Sequence, residues 1–322
     1  MKKMATILLG MAVLFANGCK KKENPSTDTG ELKGTINISG AFALYPMAIK
    51  WAEEFRKINP GVSIDVSAGG AGKGITDALS GVVDIGMVSR EIHEAEIAKG
   101  AWWTAVTKDA VVPIFNRQNP LLLEIMKKGI KKETIQKIWL SGSEVSWEEI
   151  TGGKGKTLIH LYTRSDSCGA AETWALFLGK KQDDLMGIGV YGDPGLSEAV
   201  RKDLLGIGYN NINYAYDAGS KKVVAGLEIL PIDFNNNGKI DPEESFYSTR
   251  DELVQAISLG RYPSPPARDL YLVCKGKPQR KPVAAFIRWI LTAGQTYIPE
   301  TGYISLSSEK LAGELKKIDS TL

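Results

Sequence analysis

Short apolar or alternating segments and amphipathic helical segments follow one another along the chain from Thr35 onward. The stretches TINIS, VSIDVS and VVDIGMVS have the alternating or continuous apolar character of strands. The segment LYPMAIKWAEEFRKINP places apolar residues three or four apart, which predicts a helix with Pro46 in its first turn and Pro60 at its end. Strands that alternate with helices predict an α/β fold in which a parallel sheet is covered on both faces.

A change of composition in the middle of the chain predicts a second lobe, because LLLEIMKKGIKKETIQKIW is helical in pattern and more basic than the preceding sequence. We therefore predict two α/β lobes, the first from residues 34–115 and 267–322 and the second from residues 116–266. The chain would cross between them near residues 112–116 and again near 266–273. Two crossing strands would form a hinge, and the cleft between the lobes would hold a small ligand.

The first 18 residues have the pattern of a secretory signal: two lysines, then an apolar stretch that is too short to span a membrane. Small residues precede Cys19, which resembles the lipobox of bacterial lipoproteins, where the cysteine becomes the lipid-bearing first residue. Ordinary signal cleavage without lipidation is the alternative. Residues 19–33 are polar and predict a flexible tether. We expect an exported protein that meets the membrane through a lipid anchor only.

The charge balance does not favour a nucleic-acid partner. Forty basic and 37 acidic residues give a formal net charge of +3, with no long basic run. After Cys19, only Cys168 and Cys274 remain, too few for a disulfide framework, so isolated buried thiols are expected although a pairing stays open. We expect a monomer.

Four turns share one layout, in which an apolar strand is followed by small or hydroxyl-bearing residues and then by a helix. They are SGAFALYP (39–46), SAGGAGKG (67–74), MVSREI (87–92) and TRSDSCGAAE (163–172). In open α/β sheets, ligands bind beyond the carboxyl ends of strands, where helix N-termini present free N–H groups. Glycine allows a close backbone approach, and serine adds a short donor.

Two of these turns carry an arginine, Arg90 and Arg164, which favours a multivalent anion as the ligand. Micromolar affinity requires about −8 kcal/mol, which corresponds to four or five charge-assisted hydrogen bonds of roughly 1.5–3 kcal/mol each. The candidate donors are the side chains of Arg164, Ser39, Ser89 and Arg90 and the backbone N–H groups of Phe42, Gly169 and Ala170.

Four stretches, SGAFALYPMAIKWAEEF, IDVSAGGAGKGITDAL, DIGMVSREI and YTRSDSCGAAETWA, together resemble the phosphate-binding lipoproteins of ABC-type uptake transporters. The similarity extends from about Gly34 to the C-terminal helix. It implies a two-lobed, periplasmic-binding-protein type II-like fold that captures inorganic phosphate between its lobes and delivers it to a membrane permease. It also implies that the protein is not an enzyme.

The resemblance implies a role for each turn. Arg164 would be the charge partner of the anion, with Asp166 supporting it, and Lys73 is a further candidate whose register is uncertain. The implied ligand-binding residues are Ser39, Ala41, Phe42, Ala71, Gly72, Ser89, Arg90, Arg164, Cys168, Gly169 and Ala170.

The sequence departs from the family pattern at several of these positions. Threonine is common in the family at Ala41, and serine and threonine are usual at Cys168 and Ala170, so hydroxyl donors are replaced while the backbone N–H groups stay. Some members carry an aspartate in the third turn that accepts the proton of hydrogen phosphate, where this chain has Ser89-Arg90. Sulfate, molybdate and tungstate therefore stay open as ligands. Glu91 or Glu172 could be the substitute acceptor.

Two enzyme-like patterns have alternatives of their own. A secreted hydrolase or transferase could use Cys168 as its nucleophile with His160 as base, but His160 lies inside a predicted strand. Neither His93 nor His160 belongs to a cluster with metal-ligand spacing. The stretch GGKGKT (152–157) lacks the first glycine of a nucleotide-binding P-loop, because that position is Ile150.

Residues 233–244, DFNNNGKIDPEE, fit the twelve-residue pattern of an EF-hand calcium loop, with Gly238 at the sharp turn. All the side-chain ligands are hard oxygens, and position seven requires only a backbone carbonyl. We predict a structural Ca²⁺ that stiffens the second lobe, and the alternative is a turn that caps the following helix. The predicted ligands are Asp233, Asn235, Asn237, Lys239 through its carbonyl, Asp241 and Glu244.

Overall fold

The structure is a computed structural model that describes residues 32–320. The predicted signal segment, Cys19 and most of the predicted tether lie outside the described residues. Within the described part, no helix combines the length and apolar character that crossing a membrane requires.

Strands and helices alternate along most of the described chain, and a short 3₁₀ helix (Phe42–Leu44) precedes the first α-helix. The strands are β1 (Gly34–Gly40), β2 (Val62–Ala68), β3 (Ile85–Val88), β4 (Ala101–Asn116), β5 (Ile130–Lys131), β6 (His160–Arg164), β7 (Ile188–Val190), β8 (Gly206–Asn211), β9 (Leu227–Ile229), β10 (Ile232–Asp233) and β11 (Ala267–Lys275). The helices are α1 (Tyr45–Ile58), α2 (Ala71–Ser80), α3 (Glu94–Ile97), α4 (Leu122–Lys128), α5 (Lys132–Leu140), α6 (Trp147–Thr151), α7 (Gly169–Phe177), α8 (Gly192–Lys202), α9 (Ile212–Ala215), α10 (Arg250–Ser258), α11 (Lys281–Ile290) and α12 (Ser308–Asp319).

One mixed sheet joins nine strands of the described chain. Its order is β2-β1-β3-β11-β4-β8-β6-β7, and β9 pairs with β4. The pairs β1–β2, β1–β3, β6–β7 and β6–β8 are parallel, whereas β4 and β11 pair antiparallel with each other and with their neighbours. The predicted parallel sheet is thus correct for the outer strands, and the two long central strands depart from it.

Two hydrophobic cores lie along this sheet. The core of lobe 1 contains Trp51 and Phe286, and the core of lobe 2 contains Trp139, Trp147 and Trp174. We use these lobe names for the residues that pack around each core.

Strands β4 and β11 contribute to both cores. On β4, the contribution changes from lobe 1 to lobe 2 between Val106 and Ala110, and on β11 Ala267 belongs to lobe 2 whereas Leu270 belongs to lobe 1. A pair of antiparallel strands therefore connects the lobes. The predicted lobe bounds at residues 115/116 and 266/267 stay a prediction.

The edge of the sheet at which β1 and β3 end is tightly packed. Gly40 has a φ of +132°, and a Cβ atom there would overlap the carbonyl oxygen of Met87, so only glycine fits. The N–H of Ala41 donates to that carbonyl over 2.9 Å. This packing fixes the direction in which the chain leaves β1 toward α1.

Candidate anion-binding site

Turns from both lobes meet at one place. In lobe 1, the turns after β1, β2 and β3 are neighbours, because these strands are parallel and end at the same edge. The turn between β6 and α7 faces them from lobe 2. There the N–H of Gly72 donates to the carbonyl of Ser167 over 3.2 Å, and the α-carbon of Gly169 lies against Ser89.

Phe42, in the turn after β1, completes the convergence. Its ring lies 5.7 Å from the guanidinium carbon of Arg164 and 6.1 Å from the ring of Tyr191 in lobe 2. The hydroxyl of Tyr214 donates to the carbonyl of Phe42 over 3.2 Å. All four predicted turns therefore contribute residues to the junction between the lobes.

Arg164, the last residue of β6, is the buried cation of this junction, with a side chain that is 1% exposed. Its Nε and Nη2 donate to the two oxygens of Asp166 over 2.8 and 2.6 Å, and its Nη1 donates to Asp193 over 2.8 Å. Burial alone would lower the pKa of Arg164, but the charge of Asp193 and the contacts with Asp166 raise it above its ordinary value. The guanidinium is therefore permanently charged, and these contacts use three of its five N–H donors.

The N-terminus of α7 lies directly after this arginine. Gly169 and Ala170 occupy its first turn, where backbone N–H groups have no acceptor within the helix and the helix dipole is positive. Cys168 is the N-cap, and its Sγ accepts the N–H of Ala171 over 3.4 Å. The N–H of Cys168 itself donates to Gln182 over 3.2 Å, so it is already engaged.

The predicted donors of the first two turns are partly engaged within lobe 1. The hydroxyl of Ser39 donates to Asp77 over 2.7 Å, and Lys73 also pairs with Asp77. Burial raises the pKa of Asp77, but the contacts from Lys73 and Ser39 outweigh it and hold the pKa below its ordinary value. Because the N–H of Ala41 donates to Met87, this turn can offer an anion the N–H of Phe42.

Arg90 makes a different set of contacts from those implied by the resemblance. Its Nη1 and Nη2 donate to the two oxygens of Glu96 over 2.9 and 2.6 Å, and its Nε lies 3.2 Å from an oxygen of Glu172 on α7. Glu172 also lies 3.0 Å from Nε2 of His93. The structure thus places Arg90 between carboxylates of both lobes, and its role as an anion ligand stays a prediction.

Both suggested substitute acceptors are also engaged. Glu172 faces Arg90 and His93, and Glu91 accepts the hydroxyl of Tyr271 over 2.7 Å. Neither carboxylate contacts Arg164 at the turn that leads into α7.

Cys168 has the environment of a buried structural thiol. Burial raises its pKa to about 12, which outweighs the opposing charge of Arg164. His160, the suggested base, lies 2.8 Å from Asp203 instead. Cys168 and Cys274 are both free and buried, as the sequence predicted. At neutral pH the Cys168 thiol is protonated, which is unfavourable for a nucleophile.

Two charged residues of the junction were missed at the level of sequence. Asp193 lies at the start of α8, and the strand–turn–helix segment GVYGDPG around it has the same layout as the four predicted turns. Arg268 lies on β11 and donates to the carbonyl of Gly169 over 2.7 Å. No local pattern marks Arg268, because its partners are distant in sequence.

The loop of residues 233–244 is closed by its first and last predicted ligands. The carboxylate of Asp233 accepts the N–H groups of Asn237 and Gly238 over 3.2 and 2.8 Å. Oε1 of Glu244 reaches back to the start of the loop and accepts the N–H of Phe234 over 2.7 Å.

The other predicted ligands contact one another. Asp241 accepts the side-chain amides of Asn235 and Asn237 over 3.0 and 2.6 Å and pairs with Lys239. Within residues 32–320, no three His, Cys, Asp or Glu side chains are grouped as a metal site, so a cation here would also need the amide oxygens. The alternative of a helix-capping turn is wrong, because the next helix begins only at Arg250 and has Thr249 as its cap.

A family model matches most of the chain. Residues 25–293 match the PBP superfamily domain, and the chain therefore belongs to this family.

Curated relatives carry the name phosphate-binding protein PstS. The Bacillus subtilis protein is 34% identical over 178 residues, which are 54% of this chain and 56% of that protein. PstS 2 of Streptococcus agalactiae is 27% identical over 44% of this chain and 46% of its own length. The chain thus spans about half the length of these two relatives. The PstS of Borreliella burgdorferi is 24% identical over 96% of this chain and its whole length.

Solved structures share the fold at lower identity. A substrate-binding protein from Clostridium perfringens with bound phosphate has a TM-score of 0.68 and 22% identity, covering 85% of this chain and 100% of its own. An ABC-type phosphate transport receptor from Vibrio cholerae has a TM-score of 0.59 and 19% identity, covering 84% and 100%. These similarities confirm the predicted periplasmic-binding-protein-like α/β fold.

Proposed function

We propose that this chain is an extracytoplasmic binding protein that captures inorganic phosphate between its lobes and delivers it to an ABC permease without catalysis. One observation carries the proposal: turns of lobe 1 meet the lobe 2 turn that holds the buried, permanently charged Arg164 and the N-terminus of α7. The names of the curated relatives support phosphate as the ligand.

The chemistry of the junction favours an anion over a neutral solute. A buried guanidinium and the open N–H groups of a helix N-terminus both stabilise negative charge. Because two carboxylates already surround Arg164, the anion must add hydrogen bonds with backbone donors to offset the loss of its hydration. Tetrahedral oxyanions have enough acceptor oxygens to do so.

An anion panel tests this function. The mature chain is titrated with phosphate, sulfate, molybdate and tungstate by calorimetry, and each titration is paired with a thermal melt. At a thousand times the dissociation constant, a ligand specific for the folded state adds about 4.1 kcal/mol of stability, so phosphate should raise the melting temperature clearly. If the chain binds sulfate, molybdate or tungstate more tightly than phosphate, that oxyanion replaces phosphate as the assigned ligand. No response to any of the four anions would overturn the proposal.

We also propose that the protein is exported and acts as a monomer anchored by lipid on Cys19. The signal-like first 18 residues and the polar segment after Cys19 support this placement. Cells expressing the chain are fed a radiolabelled fatty acid, and Cys19→Ala is the comparison. Label on both proteins, or on neither, would contradict the anchor.

We further propose that residues 233–244 bind Ca²⁺ as a structural ion. The support is the order of oxygen ligands along the loop and the closure of the loop by Asp233 and Glu244. When bound, Ca²⁺ would link the two ends of the loop through the carboxylate oxygens of these residues.

Two neighbouring glutamates make a matched pair for the calcium test. Glu244 holds the twelfth position, whereas the exposed Glu243 holds a position that supplies no ligand. Millimolar Ca²⁺ should raise the melting temperature of the wild type and of Glu243→Gln, but not of Glu244→Gln. An equal response to Mg²⁺, or an equal shift in both variants, would contradict a dedicated calcium site.

A further inference from the structure

A buried ion pair lies on the two strands that connect the lobes. Asp109 on β4 is the register partner of Arg268 on β11, and Oδ2 of Asp109 lies 3.6 Å from Nη2 of Arg268. Both residues are buried. Asp109 stands within the stretch in which β4 passes from one core to the other.

Arg268 also contacts the anion turn. Its Nη1 donates to the carbonyl of Gly169 over 2.7 Å, which holds the first residue of α7 in place. This contact fixes the peptide group beside the N–H groups that the helix N-terminus offers to an anion.

A second path leads from Arg268 to Arg164. Arg268 donates through Nη2 to the amide oxygen of Asn211. The amide nitrogen of Asn211 donates to Oδ1 of Asp193 over 2.5 Å, and Oδ2 of Asp193 accepts from Arg164 over 2.8 Å. Because every member of this path is buried, its hydrogen bonds do not compete with water and are strong.

The hydrogen bonding of this ion pair is incomplete. Within the described residues, the Nε of Arg268 and both oxygens of Asp109 lack a hydrogen bond of good geometry. The backbone N–H groups of Ala110 and Ile212 are close enough to Asp109 to lower its pKa. Buried charges normally require full hydrogen bonding, so a change in the protonation of Asp109 changes the energy of this pair directly.

We propose that Arg268 is a positioning residue for the anion turn. Asp109 is the protonatable group that sets the net charge of the network formed by these buried residues. The proposal rests on the proposed function of anion capture. Arg268 orients the α7 N-terminus directly and Arg164 through Asn211 and Asp193, and Asp109 links this arrangement to the connecting strands.

The charge of the network changes with Asp109. Arg164 and Arg268 are offset by Asp166 and Asp193, so the network is neutral when Asp109 is protonated and carries one negative charge when it is ionised. Burial raises the pKa of Asp109 to about 7, against the opposing effect of Arg268. The charged and titratable groups that face Asp109 are Arg268 on β11, Asp193 on α8, Tyr214 on α9, and Tyr262 and Tyr303 outside the regular elements.

The sign of the pH effect follows from this arrangement. An anion that enters beside the network favours the protonated form of Asp109, because a second negative charge nearby raises its pKa. Anion binding should therefore take up a proton near neutral pH. Affinity should weaken as the pH rises through the range in which free Asp109 loses its proton.

The test compares phosphate affinity of the full mature chain across pH for the wild type, Asp109→Asn, Arg268→Lys and Arg268→Gln. Phosphate titrates in the same range, but its own ionisation is common to all four proteins and cancels in their ratios. If the bound anion raises the pKa of Asp109 by about one unit, the ratio of wild-type to Asp109→Asn affinity should fall about sixfold between about pH 6.5 and about pH 8.5 and approach a tenfold fall at higher pH. Exposed Asp251→Asn should leave the wild-type profile unchanged.

The arginine variants test positioning. Arg268→Gln should weaken phosphate binding about tenfold or more, and Arg268→Lys should recover part of the loss, because it keeps the charge but not the fork of donors. If Arg268→Gln shows no folded state in a thermal melt, the affinity of Arg268→Lys tests positioning, and the pH profile of Asp109→Asn tests the role of Asp109.

The outcomes separate this inference from the proposed function. If the wild type binds none of the tested anions, both the proposed function and this inference are wrong. A wild type that binds phosphate while the Asp109→Asn ratio stays constant with pH overturns the role of Asp109. Unchanged affinity in both folded Arg268 variants overturns positioning by Arg268.

Discussion

The α-carbon of Gly169 lies directly against the backbone carbonyl of Ser89, so that a Cβ atom at residue 169 would overlap that oxygen and the Ser89 hydroxyl. Gly169 has no positive φ, so the glycine is required by space and not by backbone conformation. It is the point at which the first turn of α7 in lobe 2 touches the turn after β3 in lobe 1. The contact between the lobes at this point therefore depends on the absence of a side chain at residue 169.

Gly169→Ala should weaken phosphate binding at least about tenfold without destabilising α7, because alanine forms helices more readily than glycine. The overlap with Ser89 would keep the lobes apart. Calorimetry measures the affinity, and small-angle scattering with and without phosphate measures closure. Gly313→Ala is the matched control, since Gly313 lies in α12 and an added Cβ there meets nothing within 4 Å. Wild-type affinity in Gly169→Ala would show that this contact is not part of the bound state.

Arg164→Ala should abolish phosphate binding and also lower the free energy of unfolding. The substitution leaves Asp166 and Asp193 buried without their cation, and breaking a buried pair costs about 3–5 kcal/mol. Denaturant titration and calorimetry measure the two effects separately. Exposed Arg201→Ala should change neither quantity substantially. A folded Arg164→Ala protein that still binds phosphate with wild-type affinity would contradict the central place of this arginine.

Cys168→Ser should retain or strengthen phosphate binding. Serine supplies the hydroxyl that is usual in the family pattern at this position. Serine is also a favoured N-cap residue, so the free energy of unfolding should stay the same or rise by up to about 1 kcal/mol. Because burial raises the pKa of the Cys168 thiol to about 12, iodoacetamide should label it slowly at neutral pH in the folded chain and readily after unfolding. Rapid labelling of the folded protein, or the loss of a hydrolytic activity in Cys168→Ser, would revive the nucleophile hypothesis.

The sequence predicts the local parts of this site better than the contacts between them. A strand followed by small residues and a helix is a short-range pattern, so the turn that contains Arg164 and Gly169 could be located from the sequence. The same reasoning assigned Arg90 to the ligand, because a single turn does not reveal that Glu172, distant in sequence, would face it. Arg268 and Asp109 were missed for a similar reason, since their pairing exists only in the register of β11 against β4.

For the fold too, the order of elements was easier to predict from the sequence than their exact bounds. The alternation of strands and helices was correct, as was the crossing of two strands between two cores. The segment EIHEAEIAKGA has a helical pattern in the sequence, but the structure forms only the single turn of α3 there, because β4 begins at Ala101. Strand β4 begins with three apolar residues, 101–103, so the apolar pattern does not mark where the helix ends and the strand begins.

The bridge between Arg90 and Glu172 predicts the rate at which bound phosphate leaves. Arg90 belongs to lobe 1 and Glu172 to α7 of lobe 2, so their contact of 3.2 Å must break when the lobes separate. Glu172→Gln removes the charge but keeps the size. A partly buried charged contact contributes about 1–1.4 kcal/mol, which corresponds to a dissociation rate about five- to tenfold faster.

Stopped-flow displacement of phosphate measures this rate, and Glu198→Gln, an exposed residue that pairs with Arg201 and Lys202 within α8, is the control. Association should change little, because the bridge forms only as the lobes close. A dissociation rate equal to that of the wild type would mean that the bridge does not hold the lobes together. A slower association with unchanged dissociation would instead indicate that Glu172 acts on the incoming anion.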